Sequence, residues 1–371
     1  MHLLAAIYAS ALPFVADDDQ LAVHYAGKMP PAQLMWRLVY EELQEEVHQP
    51  KLSVLQATLL YLHKEPCDER DHSLSETPFP WAWTGMLVGL ATSLGLHTEC
   101  SMWAIPNWEK RLRKRLWWSV YAEDKWRSLL MGRPPYIRRQ EWDVERLNSF
   151  HFNASMTNTA NGQCTQFISF VDLTEIAEAV QEALFALRAS QKLSVDLHAS
   201  VQVGMSLVKR LEDWRASTVV NGDCVDNSTR GPNIGHMPHI HFAYHILVVY
   251  VYRALLRPTV QSTEPPTIID PEEPSSLDPS LDFSNFIWDE PVLTNATPIL
   301  VTDASTDSRP DIVKDVMRAA IECASRTVNF VHHLSVADFG GFWFSCKRLL
   351  RLLSYHVYPV ITNGNNSQGR A

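Results

Sequence analysis

Cysteine is scarce in this sequence, and where it occurs it is scattered. Cys67, Cys100, Cys164, Cys224, Cys323 and Cys346 never come as C-x-x-C pairs. That spacing excludes a cluster of closely set thiolates around zinc. It also offers no disulfide framework, so a reducing compartment is expected. Long apolar runs are missing too, and none reaches the length of a membrane span. Leu3 to Val15 is apolar and contains Ala9-Ser10-Ala11, which imitates a signal-peptide cleavage site. It lacks a basic leading region and is short for a secretory core, so it is read as part of the fold. Positive charge is in deficit, with 32 Lys and Arg against 42 Asp and Glu, a net of −10. That balance argues against non-specific binding to nucleic acid. No G-x-S-x-G, H-E-x-x-H, G-x-G-x-x-G or P-loop pattern is present, so no catalytic constellation is predicted.

What is present points to helices. At 371 residues and 46% hydrophobic, the chain can bury a sizeable core, as one large domain or two. Its twelve tryptophans belong in that core or along a groove. The negative charge is concentrated. Residues 259–310 hold ten carboxylates against Arg309, a net of −9, which leaves −1 for everything else. Apolar stripes at helical spacing run through Leu34, Leu38 and Leu43, and through Phe170, Leu173, Ile176, Ala177, Val180 and Leu184. Another joins Leu197, Val201, Val208, Leu211 and Trp214. Pro13 should break the first helical stretch, and Ser53 is placed to cap a helix. Residues 148–163 read as a polar connector, and 239–258 as a strongly apolar helix. The expectation is an all-α protein of about a dozen helices. Residues 1–258 form a helical domain and 259–310 an acidic, Pro/Ser-rich insert too polar to pack. Residues 311–358 continue the helical domain, and 359–371 form a polar tail.

The segment from Gly85 to Leu147 is the most informative. Met86, Leu87, Leu90, Ala91 and Leu94 mark one helix, with Gly95 as its stop. After Pro106, Asn107 is expected to cap a second helix with Glu109 in its first turn. Leu112, Leu116 and Val120 form its stripe, with Trp117 and Tyr121 alongside, and Gly132, Pro134 and Pro135 end it. The ordered string Leu94-Gly95-Leu96-His97, Trp108-Glu109, Arg111-Leu112-Arg113-Lys114-Arg115-Leu116-Trp117-Trp118, Asp124-Lys125-Trp126, Gly132-Arg133-Pro134 and Trp142-Asp143-Val144 resembles the middle homology region of fungal-specific transcription factors. Within that family it most resembles the nitrogen-catabolism co-activators of the GABA and allantoin pathways. Thr98 stands where that branch commonly has a basic residue. His241-Phe242-Ala243-Tyr244-His245 with Arg253, and Gly341-Phe342-Trp343-Phe344-Ser345 with Arg348, extend the likeness more loosely.

The resemblance implies a nuclear regulator of RNA polymerase II transcription rather than an enzyme. Leu96, His97, Trp108, Glu109, Arg113, Leu116, Trp117, Trp118, Asp124, Trp126, Gly132, Arg133 and Pro134 would be its signature and core residues. Implied partners are other transcription factors or co-activators, a second copy of the chain, and a small-molecule inducer, with no membrane. The family's zinc belongs to an N-terminal cluster outside these residues, so no cofactor is expected here. DNA would be reached only indirectly, or through sequence upstream. The family's further C-terminal helices are also not found. The alternatives are an incomplete gene model of a complete zinc-cluster factor, and a helical scaffold without a transcriptional role.

Four clusters admit a functional reading beside a plain one. Lys110, Arg111, Arg113, Lys114 and Arg115 could be a nuclear localisation signal or a phosphate-binding face. The preferred reading is charges covering the solvent side of a helix whose Leu/Trp side is buried. His236, His239, His241 and His245 lack a neighbouring carboxylate or cysteine, which argues against a zinc site. Asp17-Asp18-Asp19 is read as a helix cap, not a magnesium box. Inside the acidic insert, Phe283, Phe286 and Trp288 between acids are a candidate activation segment, weighed equally against an inert loop.

Overall fold

Helices in this protein begin and end where the sequence can satisfy their loose backbone groups. The computed structural model describes residues 1–25, 28–64, 78–152, 158–222, 238–260 and 309–334. Among the described residues no strand occurs, so the fold is all-α. Helix α1 (His2–Ala11) tightens at Pro13 into a 3₁₀ turn, Leu12–Asp17. Asp18 then caps α2 (Asp19–His24), its Oδ1 accepting from the N–H groups of Gln20 and Leu21 at 3.0 Å each. Helix α3 (Ala32–Glu46) starts behind Pro31, and α4 (Leu52–Leu62) behind Lys51. Ser53 therefore does not cap α4, contrary to expectation. It lies inside the first turn, where its Oγ meets His2 Nε2 at 3.1 Å and ties α4 to α1.

Helices α5 (Pro78–Ser93) and α6 (Asn107–Met131) form the centre. Asn107 is already helical behind Pro106 and caps nothing, a one-residue displacement from the expected start. Both helices stop as predicted on a left-handed glycine, Gly95 at φ 70° and Gly132 at φ 62°. In each, the residue after glycine reaches back to a carbonyl in the last turn, Leu96 to Ala91 at 3.0 Å and Arg133 to Ser128 at 2.9 Å.

Helix α7 (Asn158–Val180) begins within the stretch expected as a connector and runs into one wide turn, Gln181–Phe185. The remaining elements are α8 (Leu187–Val195), α9 (Leu197–Gly222), α10 (Pro238–Leu255), α11 (Arg257–Val260) and α12 (Arg309–His332). Packing passes along the chain. Helices α1, α3 and α4 pack together, α4 meets α5, α5 meets α6, and α6 meets α7. Helices α7, α9 and α10 form a second group, closed by α12 on α10. A single connected core runs from Ala6 to Ala324. The predicted stripe from Phe170 to Leu184 is buried throughout, each of its Phe, Leu, Ile and Val side chains contributing about 1.5–3 kcal/mol. The acidic segment with Phe283, Phe286 and Trp288, the aromatic run after Gly341, His236, Cys67, Cys224 and Cys346 lie outside the described residues.

Candidate functional site

The signature residues converge on α6, which is enclosed by protein along most of its length. Trp117, Trp118 and Trp126 are at most 1% exposed, and Leu96, Leu116 and Asp124 are buried with them. Trp142 packs against three rings of α6, Trp117, Trp118 and Tyr121, at centroid distances of 5.3 to 5.9 Å. His97 faces Trp117 at 6.4 Å. Trp108 departs from its expected core role. It projects from the first turn of α6 with 59% of its surface exposed.

Two polar locks hold α6 in place. The first joins three separate parts of the string. The loop after Gly95 and the segment at Trp142 meet through the Asp143 N–H donating to His97 O at 3.1 Å, and the Glu99 N–H donating to Asp143 Oδ1 at 2.7 Å. Lys114 reaches both, lying 2.9 Å from Glu99 and 2.6 Å from Glu145. Trp118 Nε1 donates to Glu145 O at 3.0 Å. Burial opposes the charge on Glu99, but hydrogen bonds from Ser101, the Glu145 N–H and Lys114 outweigh it and hold its pKa at about 2.

The second lock sits one half of α6 further on. Asp124 accepts from the N–H groups of Tyr136 and Ile137 at 2.9 and 3.0 Å, which fixes the chain after the Gly132-Arg133-Pro134 turn. Burial pushes the Asp124 carboxyl pKa up against the pull of those donors. Lys125, 1% exposed, donates to Ile137 O and lies 2.8 Å from Glu178 on α7. Tyr121 donates to the other oxygen of Glu178 at 2.7 Å, and Trp126 Nε1 to Thr174 Oγ1 at 2.9 Å. Gln181 bonds Ser128 and accepts the turn by donating to Arg133 O at 2.9 Å. Alongside, Glu123 pairs with Arg127 and, at 3.1 Å, with His63, the residue that follows α4. Buried pairs of this kind add little net stability, but losing one partner strands the other.

The basic run is not a solvent face. Lys114 is buried in the first lock. Arg113 donates to Leu94 O at 2.8 Å and to Glu109 at 2.9 Å, and its guanidinium lies 5.3 Å from the Trp103 ring centroid. Lys110 donates to Ser101 O at 2.7 Å. The expectation of outward charges fails because the loop from Gly95 to Pro106 and the segment after Trp142 cover that side of α6. Sequence reasoning also missed Glu99, Glu145, Glu178 and Gln181, and quoted Lys125 without a role. The one local signal was a charged triplet, Glu123-Asp124-Lys125, set between Tyr121 and Trp126.

On α10, His241 packs edge-on against Trp214 at 6.3 Å, and His245 lies 4.8 Å from Phe330 of α12. Burial, then the nearby Arg215, His241 and Arg326, lower the His245 pKa to about 4. Among the described residues, no three His, Cys, Asp or Glu side chains gather as a metal-holding group.

The fold and these locks define an all-α domain whose most distinctive residues join helices to one another. The chain belongs to the family of the fungal-specific transcription factor domain, whose profile matches residues 1–215. An uncharacterized transcriptional regulatory protein of Schizosaccharomyces pombe is 30% identical over 187 residues, 50% of this chain and 27% of that protein. The transcriptional activator protein DAL81 of Saccharomyces cerevisiae is 37% identical over 147 residues, 39% of this chain and 14% of its own. Cutinase transcription factor 1 beta of Fusarium vanettenii is 30% identical over 118 residues, 31% of this chain and 12% of its own. The chain thus spans about a quarter or less of the length of these curated relatives. No solved structure matches. Among the described residues, no helix is long and apolar enough to cross a membrane.

Proposed function

We propose that this chain regulates RNA polymerase II transcription in the nucleus, and that its helical domain is the regulatory and protein-binding part of that activity. The observation that carries the reading is the family match over residues 1–215, which contains both locks of α6. The named relatives are transcriptional regulators and an activator, and the resemblance of the signature string to nitrogen-catabolism co-activators favours a co-activator of that kind. The α6 residues that distinguish the family bond protein groups at the end of α5, in the segment from Tyr136 to Glu145 and on α7, which supports a structural and binding role over an enzymatic one. Partners of this reading are other transcription factors or co-activators, a second copy, and an inducer of small size.

DNA contact is assigned to those partners or to sequence beyond these residues. The six cysteines lack cluster spacing, and outside 259–310 the chain carries a net charge of only −1. Two experiments test the proposal. The chain fused to an unrelated DNA-binding domain should change reporter output, and a fluorescent fusion should concentrate in nuclei. An inert fusion that stays outside the nucleus would refute it. Gel shifts across a range of salt should give no sequence-selective complex, and a selective one would overturn the assignment of DNA contact to partners.

A further inference from the structure

Of the five cations between Lys110 and Arg115, three are matched by acceptors and two are not. Arg111 and Arg115 stand one turn apart on α6, so their side chains lie on the same side of the helix. Both are half-buried, and the Nε of each is closed off from solvent without a hydrogen-bond partner. Among the described residues neither joins an ion pair. Glu109 is paired with Arg113, Glu145 with Lys114 and Glu175 with Arg146. Arg115 lies over the Phe152 ring, 5.7 Å from its centroid, with the Cys164 thiol as a further neighbour. Residues 153–163, between Phe152 and Cys164, contain no Asp or Glu. Burial first, and Arg111 second, press the Arg115 pKa downward, although a guanidinium stays charged at any physiological pH.

Two like charges half out of water, with no counter-charge, are a costly arrangement for a helix otherwise matched pair by pair. Unsatisfied buried groups of this kind call for an occupant. Guanidinium groups suit oxygen anions, whose oxygens accept charge-assisted hydrogen bonds from their N–H groups. We propose that Arg111 and Arg115 form an oxyanion site, bounded by Phe152, that takes a phosphate or carboxylate group.

The test uses the full chain and inorganic phosphate as the probe. Melting is followed while phosphate replaces chloride at constant ionic strength. A saturable rise in Tm is expected for the wild type and for Arg37→Gln, an exposed control. In Arg111→Gln/Arg115→Gln the response should be lost, or its half-saturation weakened at least about tenfold. With the ten acids of 259–310 also changed to Asn and Gln, that variant should melt in chloride no lower than the same chain with both arginines, because a repulsion has been removed and no internal pair is lost. A lower Tm there would mean the two arginines are structural, and would overturn the proposal, as would an undiminished phosphate response.

A second chain, with the ten acids of 259–310 changed to Asn and Gln, separates two sources of the anion. If the chain's own carboxylates fill the site, phosphate stabilises only this neutralised chain. If a free oxyanion fills it, both chains respond alike. No response in either chain refutes the site.

Discussion

Helices α6 and α10 are both enclosed by the fold, and they reach that state by opposite chemistry. From Pro238 to Leu255, α10 has Arg253 as its only Asp, Glu, Lys or Arg, and it is buried on nearly every side by apolar contact. Helix α6 carries ten such charges in 25 residues and is buried with many of them. Apolar packing tolerates exchange of one hydrocarbon for another. A buried charge tolerates only a partner at the right place. Helix α10 needs neighbours of suitable volume, whereas α6 needs Glu99, Glu145, Ile137, Glu178 and His63 at particular positions.

The comparison can be broken most forcefully at the second lock. Lys125→Ala should cost about 3–5 kcal/mol, because Glu178 and Ile137 O then lose their buried donor. Urea denaturation measures this, and a loss under about 1 kcal/mol would remove α6 from its side of the contrast. Replacing Lys125 and Glu178 together by Met and Leu should recover only part of that loss, since Ile137 O, the Tyr121 hydroxyl and the buried Asp124 still lose a partner. On α10, Leu247→Ala should cost about 2–5 kcal/mol, while Leu247→Met should cost under about 1.5 kcal/mol. Lys125→Arg should be the poorer conservative change, for its fork does not reproduce the Lys geometry.

Arg113→Ala comes next, at about 1.5–3 kcal/mol, because its bonds to Leu94 O and Glu109 are charge-assisted and largely sheltered. Acid should separate the two regions in order. His245 is held at about 4, below its ordinary 6.5, so its neutral form favours the fold. That stability is complete above about 6.5 and is lost as pH falls toward 4, loosening α10 against α12. Glu99 is held at about 2, below its ordinary 4.5, so its contribution persists above 4.5 and is lost as pH falls toward 2. His245→Phe should remove the first phase and leave the second, read by tryptophan fluorescence. Loss of both phases together would show that the two regions titrate as one. The smallest effect is Trp108→Ala, within about 0.5 kcal/mol despite the ring's size, since Trp108 is exposed.

Local signals exposed much of this fold in advance. The stops at Gly95 and Gly132, the cap at Asp18, the break at Pro13 and the stripe from Phe170 to Leu184 each rest on chemistry within a few residues of chain. The starts of α4 and α6 were displaced by two residues and by one, because lysine or proline, not a side-chain acceptor, occupies the entry. Pattern alone read α6 as half-exposed. Charges at Lys114, Glu123, Asp124 and Lys125 look identical in sequence whether water or a carboxylate faces them.

By itself, then, the sequence determined the helical class, the helix ends, the apolar faces and the family signature, all of which depend on neighbours close along the chain. Only the tertiary structure decided what the signature does. Lys114 meets Glu145 across 31 residues of chain, and Tyr121 meets Glu178 across 57. Partners that distant leave no periodic trace. The same fold also matched Lys110, Arg113 and Lys114 with acceptors while leaving Arg111 and Arg115 without one, because where a charge finds its counter-charge is settled by which segments the core brings against it.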